Sequence, residues 1–340
     1  MKFLLDDQTL FKNLEIFDND FVPEELLYRD NQLKSLEMCL KPALKGSKPL
    51  NALIIGTTAT GKTTSVKCLF KEIKEQSSNI IPIYINCQIY NTHYKIFSEI
   101  HKIVLGYSPP TSGISQSDLF DRIFSSLAKK KKILLIALDD SDSLFTANSM
   151  VIYDILRSHE IFDNLKSAVW CISQKNKMYL ADDKVRSIFS PVIIEYLPYK
   201  FKEIVEILVK RAGLGLYNNA ISRESIETIA EQSFDLRNAI ESMKKAVLLA
   251  EADSVKAVQR KHINSVFNIE DKEKNQLEKV ILANLKNPIE SGDLYKKVEH
   301  IANNYTKFYR TLEKLQQSEK IRIVPISKQK GRSSLISIKR

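Results

Sequence analysis

The chain has few cysteines, and their spacing does no chemistry. Cys39, Cys68, Cys87 and Cys171 are its 4 thiols among 340 residues, and no two form a Cys-x-x-Cys pair. This argues against a zinc ribbon or a disulfide framework. It suits a reduced intracellular chain whose thiols are small buried apolar groups. The 5 histidines show no metal-ligand spacing either. No apolar run approaches the roughly 18 residues of a membrane-crossing helix. The N-terminal residues, Met1-Lys-Phe-Leu-Leu-Asp-Asp, lack the long apolar stretch of a secretory signal. Internal repeats and low-complexity segments are absent as well.

What is present is a phosphate-binding pattern in the right context. The apolar run Ala52–Ile55 precedes Gly56-Thr57-Thr58-Ala59-Thr60-Gly61-Lys62-Thr63-Thr64, and a helical pattern follows over 64–75. Strand, glycine-punctuated loop and helix N-terminus together wrap a triphosphate with backbone N–H groups. Lys62 is then the cation for the β/γ phosphates, and the Thr63 hydroxyl is a Mg²⁺ ligand. A second apolar run, Ile133–Leu138, ends in Asp139-Asp140-Ser-Asp142. It reads as a strand buried on both faces, with carboxylates at the end where open α/β sheets bind ligands. Asp139 pairs with Thr63 as the metal carboxylate, and Asp140 is placed to polarise a water.

Length suggests two or three domains, and a hydrophobic content of 44% suffices for a sizeable core. Residues 1–198 alternate strand and helix. The strand candidates are 52–55, 80–85, 133–138, 168–172 and 192–195. Helical patterns lie near 64–75, 92–104, 117–130, 149–158 and 183–189. This predicts a doubly wound parallel sheet. From 199 to 270 the pattern is helical only, ending in a helix near 259–268. From 271 to 340, three helices (276–285, 293–301, 305–317) and two strands (320–326, 333–338) predict a winged helix-turn-helix. Net charge is +10, and residues 271–340 alone carry +8 of it. Tyr305, Lys307, Arg310 and Lys314 recur on the third helix, and Lys328, Lys330 and Arg332 crowd the wing tip. That is the footprint of duplex DNA binding, with a protein-contact domain as the alternative.

These features together resemble the archaeal initiator family of the AAA+ ATPases, which is related to the eukaryotic origin-recognition and helicase-loading proteins. Beyond the phosphate loop, the resemblance rests on Phe21-Val22-Pro23-Glu24-Glu25-Leu26 with Arg29-Asp30, on Tyr84-Ile-Asn86-Cys87-Gln88, and on Tyr153-Asp154-Ile-Leu-Arg157. Phe234-Asp235-Leu236-Arg237 completes it. The resemblance implies an α/β AAA+ base with a helical lid and a C-terminal winged helix. Val22, Pro23, Arg29 and Tyr199 would surround the base of ATP or ADP. Gln174 would be the first nucleotide sensor and Arg237 the second. Lys184 and Arg186 fall in the segment expected to hold an arginine finger. The implied function is origin binding with slow ATP hydrolysis as a switch. Implied partners are origin duplex DNA, the replicative helicase and further copies on DNA. The expected location is cytoplasmic, at the nucleoid, without a membrane. Two alternatives stay open: a DNA-binding regulator with little turnover, and a AAA+ motor or chaperone recruited by its winged domain. Ala59 and Phe234 stand where the family usually has glycine, Asp140 where it has glutamate, and Gln174 where it has asparagine. Residues 103–118 hold no Lys or Arg.

Overall fold

The computed structural model describes residues 9–110, 113–285, 287–302, 305–318, 320–327 and 332–338. It divides into two compact units, one of residues 11–218 with 233–241, the other built mainly from 219–232 and the chain after 242.

In the first unit, five parallel strands form one sheet: β1 (Ala52–Ile55), β2 (Ile80–Asn86), β3 (Ile133–Asp139), β4 (Lys166–Ser173) and β5 (Val192–Glu195), in the order β2-β3-β4-β1-β5. Every residue of β3 is buried, because helices cover both faces of a sheet whose strands are joined by crossovers. The side chains sort with period two. Leu53, Ile83, Ile85, Leu134, Ile136 and Val169 enter one apolar core; Ala52, Ile54, Leu135, Ala137 and Trp170 enter the other. The second core is closed by α1 (Asp30–Leu44) and α2 (Lys62–Gln76). The first is closed by α3 (His93–Leu105), α4 (Gln116–Lys129), α5 (Asp142–Ala147), α6 (Met150–Arg157) and α7 (Asp183–Ile188). α8 (Phe201–Gly215) follows β5.

The five expected strands are found, each within two residues of its expected ends. α1 was not among the expected helices. Its buried Leu36, Cys39, Leu40 and Ala43 do follow helical spacing, and Pro42, which has no N–H to donate to the preceding turn, lies in the last turn, close to where the helix ends. The pattern near 149–158 is α6; α5, separated from it by Asn148-Ser149, was not among the expected helices.

In the second unit, α9 (Arg223–Gln232) packs on α11 (Arg260–Asn284). Between them runs α10 (Leu236–Ala252), whose first turns belong to the other unit. α11 is one continuous helix of 25 residues. The expected helices near 259–268 and 276–285 are its two ends, and the expected junction at 271 lies inside it. Beyond it come β6 (Ile289–Glu290), α12 (Ser291–Ala302), α13 (Tyr305–Gln317), β7 (Ile321–Ser327) and β8 (Arg332–Ile338). The strands make an antiparallel sheet in the order β6-β8-β7. Leu277, Ile281, Leu294, Val298, Phe308, Leu312, Ile321 and Ile336 form one core beneath it. β6 was not expected; two residues are too few to show a period.

Candidate functional site

The phosphate loop leaves β1 at Gly56 and enters α2 at Lys62. Gly56 has φ +154°, and a Cβ there would lie 2.3 Å from the Tyr196 carbonyl oxygen. Gly61 has φ +87°, and its Cβ would meet the Tyr199 hydroxyl at 2.7 Å. Both positions therefore require glycine. Ala59 also adopts a left-handed conformation, φ +59°, and Asp140 does so at +51°. Strained non-glycine backbone of this kind costs about 1–2 kcal/mol per residue and collects at functional sites.

The loop opens on a cavity of about 950 Å³ lined by Thr58 to Thr64, Asp139, Asp140, Gln174, Arg237, Val22, Pro23 and Tyr199. Lys62 Nζ donates to the Gly56 and Thr57 carbonyls, at 2.6 Å each. Burial lowers the Lys62 pKa, and the carboxylates of Asp139, Asp140 and Asp142 oppose that shift. The Thr63 hydroxyl donates to Asp139 Oδ2 at 2.7 Å. Asp139 is fixed further by Tyr84, whose hydroxyl donates to the same oxygen at 2.6 Å, and by the Asp140 amide at 2.9 Å. Burial and then the Asp139 hydrogen bond push the Tyr84 phenol upward, so it stays a donor. Asn86 Nδ2 donates to Asp140 Oδ2 at 3.2 Å. Burial, then the neighbouring Asp139 charge, raise the Asp140 pKa.

Tyr84 and Asn86 are functional neighbours that the sequence reading missed. Both sit on one face of β2 at its C-terminal end, and Asn86 is in register with Asp139. The signal was there: two polar side chains two residues apart at the end of an apolar strand.

Asp142 accepts from the Gln174 backbone N–H at 2.9 Å and pairs with Lys177 at 3.2 Å, which holds the β4 exit against the acidic turn. Arg237 reaches the cavity from the first turn of α10, where Asp235 Oδ1 caps the Asn238 amide at 2.8 Å.

Arg29 has a different place from the one expected. It is buried and does not line the cavity. Its guanidinium donates to the Thr60 carbonyl at 2.8 Å, the Leu197 carbonyl at 2.8 Å and the Tyr28 carbonyl at 2.9 Å, and lies 3.7 Å from the Tyr199 ring centre. It ties the phosphate loop to the segment that starts α8. Gly56 and Thr57 also lie outside the cavity wall and contribute carbonyls to Lys62. Arg186 donates to the Tyr179 carbonyl at 3.0 Å and pairs with Asp183, so both ends of its guanidinium are engaged within the chain.

The oxygens of Thr63 and Asp139 are hard donors in contact with each other. A Mg²⁺ ion that keeps its waters and phosphate ligands needs only one or two such groups. The residues present fit that ion.

On α13, Tyr305 and Arg310 are exposed. The Tyr305 ring packs on Tyr295 and Tyr309, with centroids 4.7 and 4.9 Å away. Lys314 Nζ donates to Glu278 of α11 at 2.8 Å. Nothing is described of the Lys307 and Arg332 side chains, and Lys328 and Lys330 lie outside the described residues.

The sequence matches the AAA ATPase domain over residues 25–169 and the Cdc6 AAA+ ATPase-type lid domain over 205–268. The chain is 36% identical over 331 residues to ORC1-type DNA replication protein 2 of Methanothermobacter thermautotrophicus, covering 92% of this chain and 87% of that protein. Among solved structures it is similar to the Aeropyrum pernix ORC1 protein in complex with DNA, with a TM-score of 0.73, 22% identity and coverage of 98% and 94%. It is also similar to Cdc6p of Pyrobaculum aerophilum, with a TM-score of 0.70, 20% identity and coverage of 97% and 95%. The chain belongs to the archaeal ORC1/Cdc6 family of AAA+ proteins.

Proposed function

We propose that this protein is an ATP-dependent, DNA-binding initiator of chromosomal replication. The observation that carries the reading is the cavity in which Lys62, the Thr63–Asp139 pair, Asp140 and Arg237 converge on one phosphate loop. The names of the relatives support replication as the process.

ATP or ADP binds with its phosphates on the loop Gly56 to Thr64 and its base toward Val22, Pro23 and Tyr199. Lys62 exchanges two loop carbonyls for phosphate oxygens, a stronger charge-assisted pairing. Mg²⁺, held by Thr63 and Asp139, neutralises phosphate charge when bound. Asp140 accepts the proton of the attacking water, and Asn86 keeps its carboxylate oriented. Gln174 and Arg237 address the terminal phosphate from two sides. Asp140 is one methylene shorter than glutamate and reaches less far, so hydrolysis is slow and serves as a switch.

Residues 199–270 act as the helical lid, and residues beyond 271 as a winged helix. α13 enters the major groove of origin duplex DNA with Tyr305, Lys307 and Arg310; Lys328, Lys330 and Arg332 meet the backbone. The bound protein recruits the replicative helicase and further copies of itself at the nucleoid. Two measurements test this. Lys62→Ala abolishes triphosphate binding by calorimetry, because the loop loses its cation. Asp140→Glu raises ATP turnover, measured with and without duplex DNA. Unchanged affinity in the first, or no rise in the second, contradicts the assigned role.

A further inference from the structure

α2 carries a second feature that the nucleotide reading leaves unused. Lys67, Lys71 and Lys74 follow Thr63 along its surface at one-turn spacing, a stripe about 10 Å long. Lys67, Lys71 and Tyr84 line the nucleotide cavity, and the same three residues, with Phe70 and Lys74, line an adjoining cavity of about 250 Å³. The two spaces therefore share that wall. The smaller one falls below the roughly 300–1,000 Å³ of pockets that enclose drug-sized ligands; it suits a small ion.

The lysines are available. Lys71 and Lys74 are exposed and have no hydrogen bond or ion pair among the described residues. Of the acids next to them in sequence, Glu72 accepts from Gln76 at 2.9 Å instead, and Glu75 makes no ion pair with either lysine among the described residues. Lys67 Nζ rests over the Tyr84 ring, 4.8 Å from its centre. A cation–π contact at a partly exposed site is weaker than a charge-assisted hydrogen bond, so an arriving anion displaces it.

We propose that Lys67, Lys71 and Lys74, beside the Tyr84 ring, form a second anion subsite that receives inorganic phosphate as it leaves the nucleotide cavity. The inference rests on the nucleotide reading of the main cavity. Cleavage of ATP by water yields ADP, inorganic phosphate and a proton. The departing dianion starts beside Lys62 and finds the next unpaired cations along α2. Its stay there sets how long the ADP·phosphate state of the switch lasts.

The test uses full-length protein saturated with Mg²⁺ and ADP, wild type against Lys71→Gln/Lys74→Gln. Orthophosphate is titrated by calorimetry, and phosphate released during a single turnover is followed with a phosphate sensor beside chemically quenched cleavage. The expected result has three parts. Orthophosphate binds the wild type and binds the variant roughly tenfold more weakly, for two lost charge-assisted contacts. Release lags cleavage differently in the two proteins. ADP affinity falls less than orthophosphate affinity, because Lys71 also lines the nucleotide cavity and Lys74 does not. Equal orthophosphate binding, or identical release with unchanged cleavage, overturns the proposal. So does a variant that keeps phosphate binding but loses duplex affinity, which would make the stripe a DNA backbone contact. Failure of ADP to bind either protein contradicts the nucleotide reading itself, a distinct outcome.

Discussion

At the scale of single residues, the site is built from groups under constraint. Ala59 holds a left-handed conformation that glycine adopts freely. Ala59→Gly is expected to stabilise the protein by about 0.5–1 kcal/mol, the relieved strain less the added unfolded-chain entropy, seen as a higher midpoint in thermal unfolding. Arg29 serves three carbonyls at once. Lysine or methionine cannot satisfy that planar set, so Arg29→Met is expected to cost about 2–4 kcal/mol for carbonyls left buried and unpaired and to weaken ATP binding; chemical denaturation and calorimetry check the two effects. Asp140 is raised above its ordinary range by burial and by Asp139. A carboxyl whose folded pKa lies above its unfolded one stabilises the fold while protonated and loses that contribution as pH rises through the folded value. In chelator and without nucleotide, Asp140→Asn is expected to raise the unfolding temperature near pH 7. The gain from charge shrinks as pH falls through the raised folded value and is gone below about pH 4, where the unfolded aspartate is itself protonated. A gain that does not change with pH would assign it to the left-handed backbone alone, which asparagine also tolerates.

At the scale of elements, the legible parts were those with a strong local signal. β3 and its acids could be read because a fully buried strand is a continuous apolar run with an abrupt polar end. α1 has the apolar spacing of a helix, but lysines and a proline near its end dilute it. α11 read as two helices because its apolar face has more than one partner: Leu277, Ile281 and Leu285 join the core of α12 and α13, and the helix also packs on α9. A helix that turns one stripe to two cores shows a broken period. The polar pair Tyr84 and Asn86 marks the end of β2 in the sequence, but which acids they serve depends on strand register, which no local pattern prints. The sequence placed Arg29 at the right end of the molecule and in the wrong environment, since a guanidinium aimed at carbonyls and one aimed at a ligand look alike in a sequence. On α13, Arg310 and Lys314 are likewise equal in sequence and different in place. Lys314 is already paired with Glu278, so its charge reaches DNA partly cancelled. Arg310→Ala is expected to lower the ratio of specific to random-duplex affinity by about 1–3 kcal/mol. Lys314→Ala is expected to change it less, and Glu278→Gln to steepen the salt dependence by about one unit as the lysine is freed. Titrations on preferred and scrambled duplex at two salt concentrations check all three.

At the scale of the whole molecule, the charge is divided as the work is proposed to be. Residues 271–340 carry +8 of the +10 net charge, while the phosphate loop and its carboxylates lie in the other unit. Removing those residues cuts α11, but the apolar face formed by Leu277, Ile281 and Leu285 leaves with the removed part. The truncated chain is expected to keep ATP binding and to lose most duplex affinity along with its salt dependence. A truncated protein that binds duplex as well as the full chain would move the DNA site to the AAA+ base. The central claim is that nucleotide at the phosphate loop sets DNA engagement by the C-terminal unit. It is tested most directly by the affinity of the full-length protein for a duplex that it protects in its own genome, measured with ATP, with ADP and without nucleotide, for wild type and Lys62→Ala. The account predicts that wild-type affinity differs between ATP and ADP by about fivefold or more, the low end of ordinary coupling between sites, and that all three conditions give one value in Lys62→Ala. A wild-type affinity that ignores the nucleotide, while ATP binds the loop, would contradict it.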